Sequence, residues 1–224
     1  SVATLDPSDS TRKNLQFKSR LMPTEKVLAN RYKTLGFMGR GGIGAVYRVY
    51  DLEDASDKAV KILYPDLSRN EFFTRYFIDT GKLLSQLESE HLVPVYDAGY
   101  SSALQENHIV MAHMRGGSLA ELLERRETLG PRATLRIAIS LLSGIAAVHD
   151  GGLVHGGIHP GNILFDEAGR PRLSDFGILR LPSSRVTSFR PLERLHSLRY
   201  AAPELLLGGQ AEEQSDLYSA AIVV

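Results

Sequence analysis

The chain has 224 residues, 43% apolar and 23% charged. That is enough for one domain or one bilobal unit with a sizeable core, and it excludes a wholly disordered chain. Lys+Arg and Asp+Glu number 26 each, which argues against a strongly basic nucleic-acid binder, and the absence of cysteine excludes disulfides, thiol catalysis and Cys-ligated zinc.

No apolar run approaches the ~20 residues of a membrane span. The opening SVATLDPSDSTRKN has no apolar signal-peptide region. Residues 1–30 are polar and mixed and read as a tail or linker. Both ends of the chain read as cuts from a longer protein. The expected location is the cytoplasm, with attachment to a membrane through a larger protein left open.

From Arg31 the pattern changes. Residues 31–38 and 45–50 are β-prone, and Gly39-Arg40-Gly41-Gly42-Ile43-Gly44 lies between them as a glycine-rich hairpin turn. Lys58-Ala59-Val60-Lys61-Ile62-Leu63 predicts a third strand. Residues 70–87 have helical spacing, with Phe73, Phe77, Thr80, Leu84 and Leu87 on one stripe. Strands follow over 92–96 and 108–112, with Asp97-Ala98-Gly99 read as a turn.

After Gly116-Gly117 the chain turns helical. Ser118 is a suitable N-cap for a helix over 119–127. A second helix starts after Pro131 with Leu135, Ala138, Leu142, Ile145 and His149 on its inner face, and Asp150-Gly151-Gly152 ends it. Short strands at 163–165 and 171–174 flank a turn at Glu167-Ala168-Gly169. An irregular stretch over 178–200 leads to a last helix. The expected architecture is α+β: a five-stranded lobe with one helix over 31–114, a mainly helical lobe over 115–224, and a cleft between them.

The chemistry starts at Gly39-x-Gly41-x-x-Gly44-x-Val46. A dinucleotide-binding turn would run straight into a helix, but Ala45 to Tyr50 alternates like a strand. A Walker A loop would end in Gly-Lys-Ser/Thr, which is absent. What remains is a flexible hairpin over phosphates, or an ordinary glycine-rich hairpin. Lys61, Asn162, Asp175-Phe176-Gly177, Ala202-Pro203-Glu204 and Asp216 follow in order. Each alone is unremarked; Asn and Asp oxygens together suit Mg²⁺.

In this order the motifs resemble the eukaryotic-type protein kinase fold, and bacterial serine/threonine kinases in particular, over residues 31–224. The resemblance implies the following roles. Gly39, Gly41 and Gly44 cover the phosphates of ATP. Val46 and Ala59 line the adenine pocket. Lys61 holds the α- and β-phosphates. Met111 is the gatekeeper, and Ala112, His113 and Met114 form the hinge. Asn162 and Asp175 ligate Mg²⁺. Glu204 and Asp216 anchor the larger lobe.

Three positions depart from a working kinase. Where the family reads H-R-D-x-x-x-x-N, this chain reads His155-Gly156-Gly157-Ile158-His159-Pro160-Gly161-Asn162. Gly157 replaces the Asp that accepts the substrate hydroxyl proton, and His159 replaces a Lys that would neutralise the γ-phosphate. The helix over 70–87 places Thr80 where active kinases have the Glu partner of the strand lysine. Asp79 is one residue off, ~100° round the helix, and Gly81 beside it would ease a distortion of that helix. His155 and His159 at a spacing of four do not suggest zinc, because Gly156-Gly157 disfavours a helix and no Glu follows the first His.

The expected protein is therefore a pseudokinase: it binds ATP and Mg²⁺ and regulates or scaffolds other proteins. The alternatives are a weak or atypical serine/threonine kinase and a scaffold that binds no nucleotide. Ser183, Ser184, Thr187, Ser188 and Ser197 lie among arginines in the expected activation segment. They are candidate sites for an upstream kinase, creating a dock for a phosphopeptide-binding module.

Overall fold

A computed structural model describes residues 26–102, 105–125, 128–175 and 198–224. The first lobe is an antiparallel sheet of β1 (Val27–Leu28), β2 (Tyr32–Arg40), β3 (Gly44–Asp51), β4 (Ser56–Leu63), β5 (Val95–Ser101) and β6 (Glu106–Ala112). Its spatial order is β1-β2-β3-β4-β6-β5. Two helices lie between β4 and β5: α1 (Pro65–Ser68) and α2 (Glu71–Leu84). The five expected strands are all present. The sixth, β1, pairs Val27 with Lys33 and Leu28 with Tyr32, so the lobe starts before Arg31.

One strand differs from expectation. Asp97-Ala98-Gly99 does not turn; it runs inside β5, opposite Val110, Ile109 and His108. A bulge between Val95 and Asp97 absorbs the irregularity. Ala98 is buried in the cluster that includes Ile109, Phe73 and Phe77, so burial of the sheet face overrides local turn propensity.

Helix α2 starts where the Asn70 side chain accepts from the Phe73 backbone N–H at 3.1 Å. It buries Phe73, Phe77, Thr80, Gly81 and Leu84 against the sheet. Gly81 serves close packing rather than distortion. A Cβ there would lie 2.5 Å from Ala98 Cβ and 2.9 Å from Ile109 Cγ1. The glycine lets α2 approach β5 and β6.

The second lobe contains α3 (Leu119–Arg125), α4 (Pro131–Asp150), a 3-10 turn (Pro160–Asn162), the hairpin β7 (Ile163–Phe165) and β8 (Pro171–Leu173), α5 (Pro203–Leu206) and α6 (Glu213–Val223). Ser118 and Glu121 cap α3 reciprocally: Glu121 N–H donates to Ser118 Oγ at 3.2 Å and Ser118 N–H to Glu121 Oε2 at 3.1 Å. Helix α4 packs against β8 and α6. By length and composition this 20-residue helix could cross a membrane, which the sequence reading did not anticipate. Here Ile137, Leu141, Ile145 and Val148 are buried in the core of the second lobe. The expected inner face was one step off: Leu135 and Leu142 are exposed, at 61% and 49%. Apolar residues occupy two sides of α4, so periodicity alone does not choose the inner one.

The lobes meet through β8. Val93 N–H donates to Leu173 O at 2.9 Å and Leu173 N–H to His91 O at 2.8 Å. Leu164 of β7 packs against the buried cluster of the first lobe, closing one side of the cleft.

Candidate active site

Lys61 projects from β4 and is 3% exposed. An ammonium so buried needs an anionic partner. It finds Asp175: Lys61 Nζ donates to Asp175 Oδ1 at 2.8 Å. Burial works against the Asp175 carboxylate, but the Lys61 charge and hydrogen bond outweigh it and hold its pKa below the usual aspartate value. Asp175 has φ +64°, a left-handed conformation that aspartate tolerates better than bulky residues do.

Helix α2 supplies no acid to this pair. Thr80 is buried on the inner face of α2. Asp79 is exposed and reaches Arg75 at 3.7 Å. Among the described residues, Asp175 is the one carboxylate ion-paired with Lys61.

The glycine hairpin lies over the ammonium. Gly41 N–H donates to Gly44 O at 2.8 Å, closing the turn. A Cβ at Gly41 would sit 3.6 Å from Lys61 Nζ, and one at Gly44 would lie 2.2 Å from Ile62 O, so Gly44 is required by the close approach of β3 to β4. Gly39 has nothing within 4 Å of that position. Ile43, at the tip, turns inward and joins the buried cluster of the lobe.

The residues expected at adenine converge. Ala59 stands opposite Met111 in the β4–β6 register. Both are buried in one cluster with Met114, and Val46 and Ala112 pack against it. Leu164 belongs to the same apolar surface and was missed. Its signal was the period-two alternation of β7, where Ile163 faces the second lobe's core and Leu164 the first lobe. His113 follows β6, and burial depresses its pKa, keeping it neutral.

The catalytic loop is held from α6. The Asp216 carboxylate accepts from His155 N–H at 2.8 Å and Gly156 N–H at 2.7 Å, and lies 2.9 Å from His149 Nε2. His155 Nδ1 accepts from Gly157 N–H at 3.2 Å, so Nε2 carries the proton, donated to Ser174 O at 2.8 Å. Burial depresses the pKa of this neutral imidazole. Gly156 has φ +68°, whereas Gly157 lies outside the left-handed region. Asn162 Nδ2 donates to Gly157 O at 2.8 Å, and Ser174 N–H donates to Asn162 O at 2.8 Å, bringing Asn162 beside the segment that carries Asp175. His159 Nδ1 accepts from Gly161 N–H at 3.1 Å and caps the 3-10 turn. Glu204 accepts a hydrogen bond from Ser215, joining α5 to α6.

These groups fit a magnesium-bound nucleotide. The Asn162 amide has its nitrogen committed and its oxygen left as a hard donor, and Asp175 has a second carboxylate oxygen beyond the one on Lys61. In this family the metal neutralises charge on the transferred phosphoryl group. Phe176, Gly177, Ser183, Ser184, Thr187, Ser188 and Ser197 lie outside the described residues.

Burial depresses the pKa of His108, His113 and His155 alike. Below the ordinary histidine value of ~6.5 the unfolded chain takes up protons that the folded chain refuses. Stability is therefore full above that value and declines as pH falls. Thermal melts should give a lower midpoint at about pH 5.5 than at about pH 7.5; equal midpoints would contradict the assignment.

The sequence matches the protein kinase domain over residues 32–224. It is 34% identical over 200 residues to the serine/threonine-protein kinase PrkC of Bacillus subtilis, covering 89% of this chain and 30% of that protein. It is 32% identical over 199 residues to the serine/threonine-protein kinase PknL of Mycobacterium tuberculosis, covering 88% of this chain and 49% of that protein. The chain thus spans at most about half the length of either relative. The crystal structure of the Mycobacterium tuberculosis PknI kinase domain superposes with TM-score 0.72 at 24% identity, covering 90% of this chain and 74% of that one, a likeness of fold. The chain belongs to the protein kinase family.

Proposed function

We propose that this chain is a catalytically impaired protein kinase domain that binds ATP and Mg²⁺ and acts as a regulatory or scaffolding module in cytoplasmic serine/threonine phosphosignalling. The observation that carries the reading is Gly157. It stands where the family's proton acceptor belongs, and a glycine has no side chain to take the substrate proton. A positioned acid or base contributes about 10²–10⁴-fold to such a reaction. His159 is neutral while its Nδ1 accepts from Gly161, so it brings no charge to a γ-phosphate. Support for nucleotide binding comes from Lys61, Asp175, Asn162 and the apolar surface of Ala59, Met111, Met114 and Leu164. The candidate partners are an upstream kinase and a phosphopeptide-binding module.

An ATP-dependent serine/threonine kinase is the second reading. The names of the relatives and the retained Lys61, Asn162 and Asp175 favour it. A nucleotide-free scaffold is the third. The inward tip Ile43 and the hairpin lying on Lys61 favour that one. Transfer of labelled γ-phosphate to protein separates the first two. Under saturating ATP and Mg²⁺, wild type should label no faster than Asp175→Ala. Labelling well above that background would establish the kinase reading.

A further inference from the structure

Behind the hinge, on the face away from Lys61, lies a second concave site. It is a groove of about 720 Å³ lined by β4, the residues before β5, the hinge and the β7–β8 turn. Its size is that of a ligand site, within the range of about 300–1,000 Å³. Its walls are charged and partly buried. The Asp57 carboxylate is shared by two guanidiniums, Arg48 at 2.6 Å and Arg115 at 3.1 Å. Asp166 is shared likewise by Arg170 at 2.8 Å and Arg172 at 3.5 Å. Lys58 pairs with Asp54 at 2.8 Å and lies 4.0 Å above the ring of Tyr96. Arg115 also reaches Glu167 at 3.6 Å, which ties the hinge to the second lobe.

Counting every carboxylate paired there, five cations face four anions. The anions are the more enclosed: Asp57 and Asp166 are 13% and 16% exposed, Arg115 and Arg170 51% and 57%. An incoming ligand therefore meets guanidinium N–H groups first. Arginine carries five donors in a fixed fork, more than a shared carboxylate takes up. Tyr96 and Pro94 supply an apolar wall. Such a slot suits a narrow chain with alternating carboxylate and apolar groups.

We propose that this groove docks an acidic peptide segment of a partner protein, in extended form, with its carboxylates on Arg115 and Arg170 and an apolar residue against Tyr96. The site is independent of nucleotide and of phosphoryl transfer, so it stands or falls apart from the proposed function. The chain's zero net charge makes general attraction of a polyanion weak, which lets a local site be seen.

Fluorescence polarisation of a fluorescein-labelled decaglutamate with the 224-residue chain tests it. Binding should be saturable, and weaker at higher salt. Arg115→Glu combined with Arg170→Glu should weaken it by about tenfold or more. Arg69→Glu combined with Arg75→Glu, on exposed positions of the first lobe's helices, should leave it unchanged. Thermal midpoints establish that both pairs of variants are folded. Hydrogen exchange on wild type gives a readout that needs no variant: peptide addition should protect residues 94–96, 112–115 and 166–172. No saturable binding, equal loss in the control pair, protection elsewhere, or tighter binding of labelled oligo-thymidylate would each overturn the proposal.

Discussion

Asp175→Asn is expected to destabilise the fold as well as weaken metal binding. Lys61 is 3% exposed and has this one ion-paired carboxylate among the described residues. Removing one partner of a buried pair leaves the other charged and desolvated, at a cost of ~3 kcal/mol, the low end of the usual range because the glycine hairpin above Lys61 can admit water. For a chain of this size that lowers the thermal midpoint by ~6–12 °C. Lys61→Met should cost less, since Asp175 is 28% exposed and keeps access to solvent. The double variant should be more stable than Asp175→Asn alone, because no buried charge then remains. Calorimetric or fluorescence melts of the four proteins check this. Additive losses would show that the two side chains are not coupled. In an active kinase, the family resemblance implies, the helix glutamate would share Lys61; here Thr80 leaves Asp175 with that task as well as metal binding.

The second large effect is a gain. Gly157→Asp is expected to raise γ-phosphate transfer by about 10²-fold or more over wild type. The backbone permits the change, because Gly157 lies outside the left-handed region that favours glycine, and Asn162 already holds its carbonyl in place. Restoring the neighbouring arginine is another matter: Gly156→Arg would put a side chain at φ +68° and strain the loop. Combining Gly157→Asp with His159→Lys should raise transfer further, since charge neutralisation of the phosphoryl group contributes alongside positioning. Single-turnover assays on saturated protein read both steps. If neither variant exceeds wild type, the loss of function lies elsewhere, with Thr80 as the next suspect.

Much of this site was legible in the sequence because its parts are local and ordered. The glycine hairpin, the strand lysine, the Asn162 turn and Asp175 each sit in a short run with one reading once their order is seen. The helix boundaries at Asn70, Ser118 and Pro131 were legible for the same reason: caps and proline act within one turn. What escaped was set by distant contacts. The Asp97-Ala98-Gly99 triplet has turn propensity, yet Ala98 is buried beneath Gly81 of α2, and cross-strand pairing keeps it extended. The inner face of α4 depends on which of two apolar sides meets β8. Gly81 read as a weak point of a helix, and only the nearness of Ala98 and Ile109 shows its use. The pairing of Lys61 with Asp175 joins residues 114 apart, and the β7 alternation that turns Leu164 toward the cleft has meaning only once the other lobe is in place.

The most direct measurement is isothermal titration of ATP into the chain, with and without Mg²⁺, beside Lys61→Ala and Asp175→Ala. Binding in the micromolar range, strengthened by Mg²⁺ and lost in Lys61→Ala, is the predicted result. In Asp175→Ala the dependence on Mg²⁺ should fall sharply, because that carboxylate is one of the two oxygen donors the cleft offers. No detectable heat or displacement in wild type would contradict the account and leave a kinase-shaped surface that works by holding other proteins.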